Sequence, residues 1–256
     1  MVESQALQAK DILYRDDDLM VVNKPAGVPV HGSRILEGRP VTLYSMAREA
    51  CGRMVHAVHR LDRPVSGAMV LAFDKETLAE LGRSFEQRLV SKRYLAVVRG
   101  WLPEQGSIDH PLCPPRDDRG EKSEPRPART RYERIAVVEV PVAVPPYPAS
   151  RYSLVALYPE TGRRHQLRRH MKHVSHHLLG DTTYGRGEHN RVFREHFDCS
   201  RLLLHSECVA FRHPRTGKNM AVHAGLDEEF QSIVDVFGWA DETGLHAGCP
   251  EPGKPM

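Results

Sequence analysis

Three observations place this sequence in the α+β class. Short apolar runs of strand character outnumber the segments with helical spacing. Strands and helices do not alternate in the regular order that a doubly wound sheet needs. No internal repeat and no clean linker divides the chain, so one domain is expected over residues 1–240, with a flexible tail over 241–256.

The elements follow in order. Ile12–Tyr14 and Met20–Asn23 are predicted strands around the turn Arg15-Asp16-Asp17-Asp18, and Lys24-Pro25-Ala26-Gly27 ends that pattern. A helix is predicted over Thr42–Ala50, where Leu43, Met46 and Ala47 recur at helical spacing. Gly67–Phe73 is a short apolar run, read as a buried strand. Asp74 then caps a helix over Lys75–Arg88 with the stripe Leu78, Leu81, Phe85. Arg93–Arg99 alternates as a strand. Pro103–Pro127 is rich in Pro and charge and is expected to be a long mobile loop. Arg131–Val140 and Arg151–Tyr158 read as strands joined by a proline-rich turn. A helix over Arg164–Val174 carries the stripe Leu167, Met171, Val174. Leu202–Phe211 is a predicted strand and Leu226–Phe237 a helix, and the tail from Thr243 is expected to fray.

Composition narrows the class of function. Apolar residues make up 40% of the 256, which suits a globular core, and no run is long and apolar enough to span a membrane. The first ten residues are polar, so no signal segment is indicated. Cys51, Cys113, Cys199, Cys208 and Cys249 are odd in number, scattered and free of CxxC spacing. Neither a disulfide framework nor a zinc ribbon is expected, and a reducing cytoplasm is the simplest compartment. The net charge of +3 proves little alone, but Thr161–His173 holds five Arg or Lys, three His and no acid. That asymmetry favours a basic face and a polyanionic partner.

The chemistry-bearing residues are few. Asp62 stands between Arg60 and Arg63 in His59-Arg60-Leu61-Asp62-Arg63-Pro64-Val65-Ser66-Gly67, just before an apolar strand. Approach of the guanidinium groups would keep it ionised, as a nucleophile or general base. Taken alone, such a carboxylate is more often a structural ion pair. Arg164 and Arg168 are i,i+4 neighbours beside the apolar stripe, where an arginine can reach a partly buried carboxylate or simply face solvent. Tyr94 is either a core residue or a pocket wall that stacks on a base. His173 and His177 have zinc-like spacing, but no HExxH is present and five cations surround them, so no metal is expected. Phosphate loops of the GxxxxGK[ST] and GxGxxG types and the GxSxG elbow are missing.

In order and spacing these segments resemble the RluA-type pseudouridine synthases over about Asp11–Phe237. The matching residues are Asn23-Lys24-Pro25-Ala26-Gly27 with His31, His59-Arg60-Leu61-Asp62, Lys92-Arg93-Tyr94, and Gly162-Arg163-Arg164-His165-Gln166-Leu167-Arg168-Arg169-His170. Leu179-Gly180-Asp181, Leu204-His205-Ser206 and Phe211-Arg212-His213-Pro214 follow. Arg63-Pro64, Arg168-Arg169-His170 and His223-Ala224-Gly225-Leu226-Asp227 are similar to a subgroup that acts on tRNA. Val65 departs from the family's usual threonine, which removes a hydroxyl beside the aspartate.

The resemblance implies a mixed, mostly antiparallel sheet with flanking helices and a central catalytic cleft. It implies Asp62 as the essential carboxylate, attacking ribose C1′ or removing a sugar proton. Tyr94 would stack on uracil, Arg168 would pair with Asp62, and Arg60 would fill the gap left by the flipped uridine. Arg63, Arg164, Arg169, Lys172 and His31, with His56 and His59, are expected on the RNA surface. The implied substrate is uridine 65 of tRNA, with no cofactor, no metal, no membrane and a monomeric enzyme. A ribosomal-RNA synthase of the same family, a non-catalytic RNA-binding protein and a zinc hydrolase stand as alternatives.

Overall fold

The computed structural model describes residues 7–32, 41–114, 124–242 and 248–253. Along the chain run β1 (Ile12–Arg15), β2 (Leu19–Lys24), α1 (Leu43–Cys51), β3 (His56–Ala57), β4 (Ser66–Ala72), α2 (Lys75–Glu86) and β5 (Ser91–Arg99). They are followed by β6 (Gln105–Asp109), β7 (Arg129–Val140), β8 (Ser150–Pro159), α3 (Gln166–His173), α4 (Gly187–Phe197), β9 (Leu204–Arg212), β10 (Asn219–His223) and α5 (Glu228–Val236). The chain divides into two compact units. The first is Met1–Lys92 with His205–Asp227 and Leu245–Met256; the second is Arg93–Leu204 with Glu228–Gly244.

In the first unit β2 pairs antiparallel with β1 and with β4. Asp16 makes the intervening turn, its Oδ1 accepting the amides of Asp18 and Leu19 at 2.9 Å. β3 also pairs antiparallel with β4, β10 pairs antiparallel with β9, and β4 runs parallel to β9 through Ser66↔His205 and Gly67↔Ser206. Leu19, Val21, Ala68, Val70, Val209 and Phe211 form the core of this unit with Leu81 of α2, and Phe85 packs against it. Asp74 caps α2 as predicted, accepting the Thr77 amide at 2.8 Å. Thr42 caps α1 through a reciprocal pair with Ser45, and the predicted Leu43, Met46 and Ala47 are its buried face.

The second unit is an antiparallel meander in the order β5-β8-β7-β6. Every position of β5 from Arg93 to Val98 is buried, so both faces of the predicted strand are covered. Gln166 fastens α3 to this sheet. Its Oε1 accepts from the Thr161 hydroxyl and the Arg163 amide, and its Nε2 donates to the Arg129 carbonyl and the Thr130 hydroxyl.

Several expectations are corrected. The stretch Pro103–Pro127 contains β6, paired with β7 from Gln105↔Glu133 to Asp109↔Arg129, and a bridge between Leu112 and Arg126; residues 115–123 of that stretch lie outside the described residues. β10 lies outside the predicted elements, although the turn Pro214-Arg215-Thr216-Gly217 announces a hairpin. α4 also lies outside the predicted elements, because its buried face includes His189 and Asn190 as well as Val192 and Phe193, which blurs the apolar period. The described tail residues 248–253 are held rather than frayed. Gly253 donates its amide to the Leu89 carbonyl at 3.0 Å, Ser91 donates to the Glu251 carbonyl, and Cys249 is disulfide-bonded to Cys208. No pattern of spacing announces that disulfide, because its two cysteines are brought together only by the fold.

Candidate active site

Asp62 lies on the loop between β3 and β4, half-buried, with Arg60 and Arg63 exposed on either side. Both ends of this loop are braced within the first unit. On the entry side, Nε2 of His59 accepts the Val70 amide at 3.0 Å, and its ring stacks on Phe85 at 4.7 Å. Burial, followed by the nearby Lys92 ammonium, pushes His59 down to about 3, so the ring is neutral and holds one tautomer. Half-buried, it is a strut for the loop.

On the exit side, the Val65 amide closes a turn onto the Asp62 carbonyl at 3.0 Å. Arg63 and Gly27 are cross-tied twice: the Gly27 amide donates to the Arg63 carbonyl and Arg63 Nε donates to the Gly27 carbonyl, both at 2.9 Å. Lys24 is fully buried at the centre of this junction. Its Nζ donates to the carbonyls of Pro25 at 2.7 Å, Val28 at 2.9 Å and Arg63 at 3.2 Å. This role for Lys24 is not among the sequence expectations. The available signal was a lysine ending an apolar strand directly before Pro-Ala-Gly.

Ser66 and Gly67 seat the strand that follows. The Ser66 hydroxyl meets Nδ1 of His205 at 2.8 Å, and Nε2 of His205 meets the Ala224 carbonyl at 3.0 Å. Nε2 therefore carries the proton and the Ser66 hydroxyl donates to Nδ1. Gly67 has φ +110°, and a Cβ there would collide with the Ser206 backbone. Only glycine permits that approach.

Tyr94 is buried in β5 of the second unit, opposite Leu157 of β8. Arg168 is buried in α3. Its Nε donates to Asp181 Oδ2 at 2.7 Å and one Nη donates to Oδ1 at 2.8 Å, with both side chains almost fully buried. Asp181 Oδ1 also accepts the amides of Thr183 and Tyr184 at 2.9 Å. Burial alone would raise this carboxyl, but the Arg168 guanidinium and those amides hold it below its usual range. The Tyr184 ring covers the guanidinium at 5.0 Å, and its hydroxyl meets Nδ1 of His165 at 3.0 Å. Gly180 permits the turn: its φ is +75°, and a Cβ would meet the Arg201 carbonyl. In the sequence Asp181 is visible only as the last residue of Leu179-Gly180-Asp181. The structure makes it the holder of Arg168.

The remaining sequence candidates divide. Arg164 and Lys172 are exposed on the α3 segment, and His31 is exposed beyond β2. Arg169 is half-buried and donates to the Cys113 carbonyl at 2.9 Å, so it braces the chain after β6. His165 likewise turns to Tyr184 instead of solvent. The zinc-like pair does not form, because α3 ends at His173, whose ring stacks on His110 at 3.7 Å, while His177 lies beyond the helix. Among the described residues the one ligand-like trio is Asp16, Asp18 and His213. His213 Nδ1 accepts the Arg215 and Thr216 amides, so Nε2 donates to Asp16, and Arg215 holds Asp18 at 2.6 Å. That trio is a satisfied turn lock.

Residues 18–173, from β2 through α3, match the family described as RNA pseudouridylate synthase. The chain belongs to that family. As a pseudouridine synthase it is an isomerase acting on RNA. Proteins named tRNA pseudouridine synthase C are similar to it along most of both chains. That of Haemophilus ducreyi is 44% identical over 233 residues, 90% of this chain and 96% of its own. That of Yersinia pestis is 43% identical, covering 90% and 91%, and that of Vibrio cholerae 40%, covering 93% and 99%. Among solved structures, human RNA pseudouridylate synthase domain containing 1 aligns with TM-score 0.67 at 25% identity, over 96% of this chain and 98% of that one. The mixed, mostly antiparallel architecture expected from the sequence is thus the architecture of the pseudouridine synthases.

Proposed function

We propose that this protein converts uridine to pseudouridine in tRNA, at uridine 65, with Asp62 as its essential carboxylate. The observation that carries the reading is similarity along 90% of the chain to relatives bearing the name tRNA pseudouridine synthase C. The bracing of the Asp62 loop by His59, Lys24 and Gly27 supports it, because a reacting carboxylate must be held within a fraction of an ångström of its target.

The reaction breaks the bond between ribose C1′ and uracil N1, turns the base and joins C1′ to C5. The C5 proton leaves and N1 gains one, so nothing is oxidised and no cofactor is required. Asp62 either attacks C1′ or removes a sugar proton. Tyr94 stacks on the uracil, and Arg168, held in place by Asp181, is the cationic residue of the reaction. A base in a paired stem must be extruded, and Arg60, exposed two residues before Asp62, fills the vacated stack. Arg164 and Lys172 reach RNA phosphates, with Arg63 and His31 beside the loop. The enzyme acts as a cytoplasmic monomer.

The test is tritium release from tRNA labelled at uridine C5, with wild type and Asp62→Asn side by side, followed by mapping of the product. Release by wild type alone, with pseudouridine at position 65, is the expected result. Release from ribosomal RNA but not from tRNA would overturn the substrate, and equal release by both proteins would overturn the role of Asp62.

A further inference from the structure

Cys208 is fully buried in the middle of β9, and Cys249 is half-buried in the described tail. Their sulfurs are bonded, with the Cα atoms 5.9 Å apart. Cys51, Cys113 and Cys199 are free thiols. Across the β9–β10 pairing Cys208 faces His223, whose Nε2 lies 3.7 Å from the Cys208 sulfur. The other ring nitrogen, Nδ1, is 2.7 Å from Oε1 of Glu207, a carboxylate with 1% exposure. Nδ1–H therefore donates to Glu207, and Nε2 is turned to the sulfur. A carboxylate that orients an imidazole, which in turn faces sulfur, is the arrangement that stabilises a departing thiolate. Neither His223 nor Glu207 has a part in the reaction proposed on RNA.

We propose that Cys208, Cys249, His223 and Glu207 form a thiol–disulfide exchange site whose co-substrate is a low-molecular-weight thiol. The two sulfurs have different roles. Cys249 is the accessible one, so an incoming thiolate attacks its Sγ. The bond to Cys208 breaks, and the electron pair leaves on Cys208, which takes the proton lost by the small thiol through Nε2 of His223. A second small thiol then attacks the mixed disulfide on Cys249, releasing a small disulfide and the Cys249 thiol. In sum, one protein disulfide and two small thiols give two protein thiols and one small disulfide, with two electrons passing to the protein. A disulfide in a reducing compartment is ordinarily of this exchangeable kind.

The exchange has a local consequence. The bond fastens the tail that Glu251 and Gly253 lay against Ser91 and Leu89, and residues 89–91 run directly into Lys92-Arg93-Tyr94. Opening it leaves the tail held there without its covalent tie.

The experiment treats the full-length protein with oxidised and then reduced glutathione, quenches with an alkylating agent and maps each cysteine by mass spectrometry. After oxidation, Cys208 and Cys249 resist alkylation while exposed Cys113 reacts. During reduction, glutathione is found on Cys249 and not on Cys208. His223→Gln slows the opening by about 100-fold, the scale of a lost proton-handling group. Cys249→Ser removes the redox dependence of proteolysis in the tail and leaves turnover on RNA under reducing conditions unchanged. Alkylation of both cysteines after oxidation, glutathione on Cys208, or wild-type opening in His223→Gln would each overturn the proposal. The first two readouts need no variant, so a folding defect cannot mask them.

Discussion

Arg168 and Asp181 form a two-pronged ion pair in the interior of the second unit, and the acid does more than neutralise the base. Its Oδ1 also ties down the turn at Thr183 and Tyr184, so the guanidinium plane is fixed by a structure that spans residues 168–184. Asp181→Asn separates these duties. The amide oxygen still accepts the turn amides, but its NH2 group opposes Arg168 Nε–H where Oδ2 stood. We expect the single-turnover rate constant at saturating enzyme to fall about 100-fold, the scale of a misplaced catalytic group. RNA affinity is expected to stay close to wild type. Arg168→Ala is expected to abolish turnover. A full rate in Asp181→Asn, in protein whose wild type is active, would show that the position of Arg168 does not depend on this pair.

Lys24 gathers three carbonyls in a site closed to water. Lys24→Met keeps the length of the side chain and leaves those acceptors without their shared donor. The Arg63 carbonyl keeps the Gly27 amide, but those of Pro25 and Val28 are left unsatisfied at about 1 kcal/mol or more each, so a loss of about 2 kcal/mol in unfolding free energy is expected by urea titration. Because one of the three belongs to Arg63, turnover per folded molecule should fall as well. Wild-type stability in this variant would mean that the carbonyls find other donors.

Much of this was legible in advance, and the remainder shares one physical feature. The Leu43, Met46, Ala47 face of α1, the Asp74 cap and the strand character of β5 are local patterns, and the structure agrees with each. The Asp62, Tyr94 and Arg168 segments are each ambiguous alone, and only their order and spacing along the chain carry the resemblance. Partners across long separations did not stand out. Lys24 with Arg63, Ser66 with His205, and Cys208 with Cys249 are 39, 139 and 41 residues apart, and no periodicity encodes such pairings. The pairing of Arg168 with Asp181 spans only 13 residues, yet it was hidden by a turn between them that depends on the left-handed Gly180.

Neutral buried histidines set the acid limit of stability. His59 is held down to about 3 and His189 to about 4, in each case by burial first and nearby cations next. In the unfolded chain both take up a proton near their ordinary 6.5. Between about pH 4 and 6.5 the unfolded state thus binds more protons, and stability falls as pH falls through that window. Asp181, with its depressed carboxyl, adds a loss in the same direction at lower pH. Urea midpoints measured from pH 4.5 to 7 should rise with pH. In His59→Gln, whose amide oxygen can still accept from Val70, that rise should be shallower. An unchanged slope would show that His59 titrates normally in the folded protein.

The exposed cations of the α3 segment should act through charge alone. Arg164 and Lys172 are exposed, and α3 carries no acid in its first turn to oppose them. Each phosphate contact displaces counterions, so the plot of log affinity against log salt steepens by roughly one for every contact made. Arg164→Ala and Lys172→Ala are each expected to weaken RNA binding, to flatten that slope by about one, and to leave the rate constant at saturating enzyme unaltered. Arg169→Ala should behave differently. Its guanidinium is engaged with the Cys113 carbonyl, so its removal should loosen the chain after β6 and raise protease sensitivity there even without RNA. Equal salt slopes in wild type and both exposed-cation variants would move the RNA-facing surface away from α3.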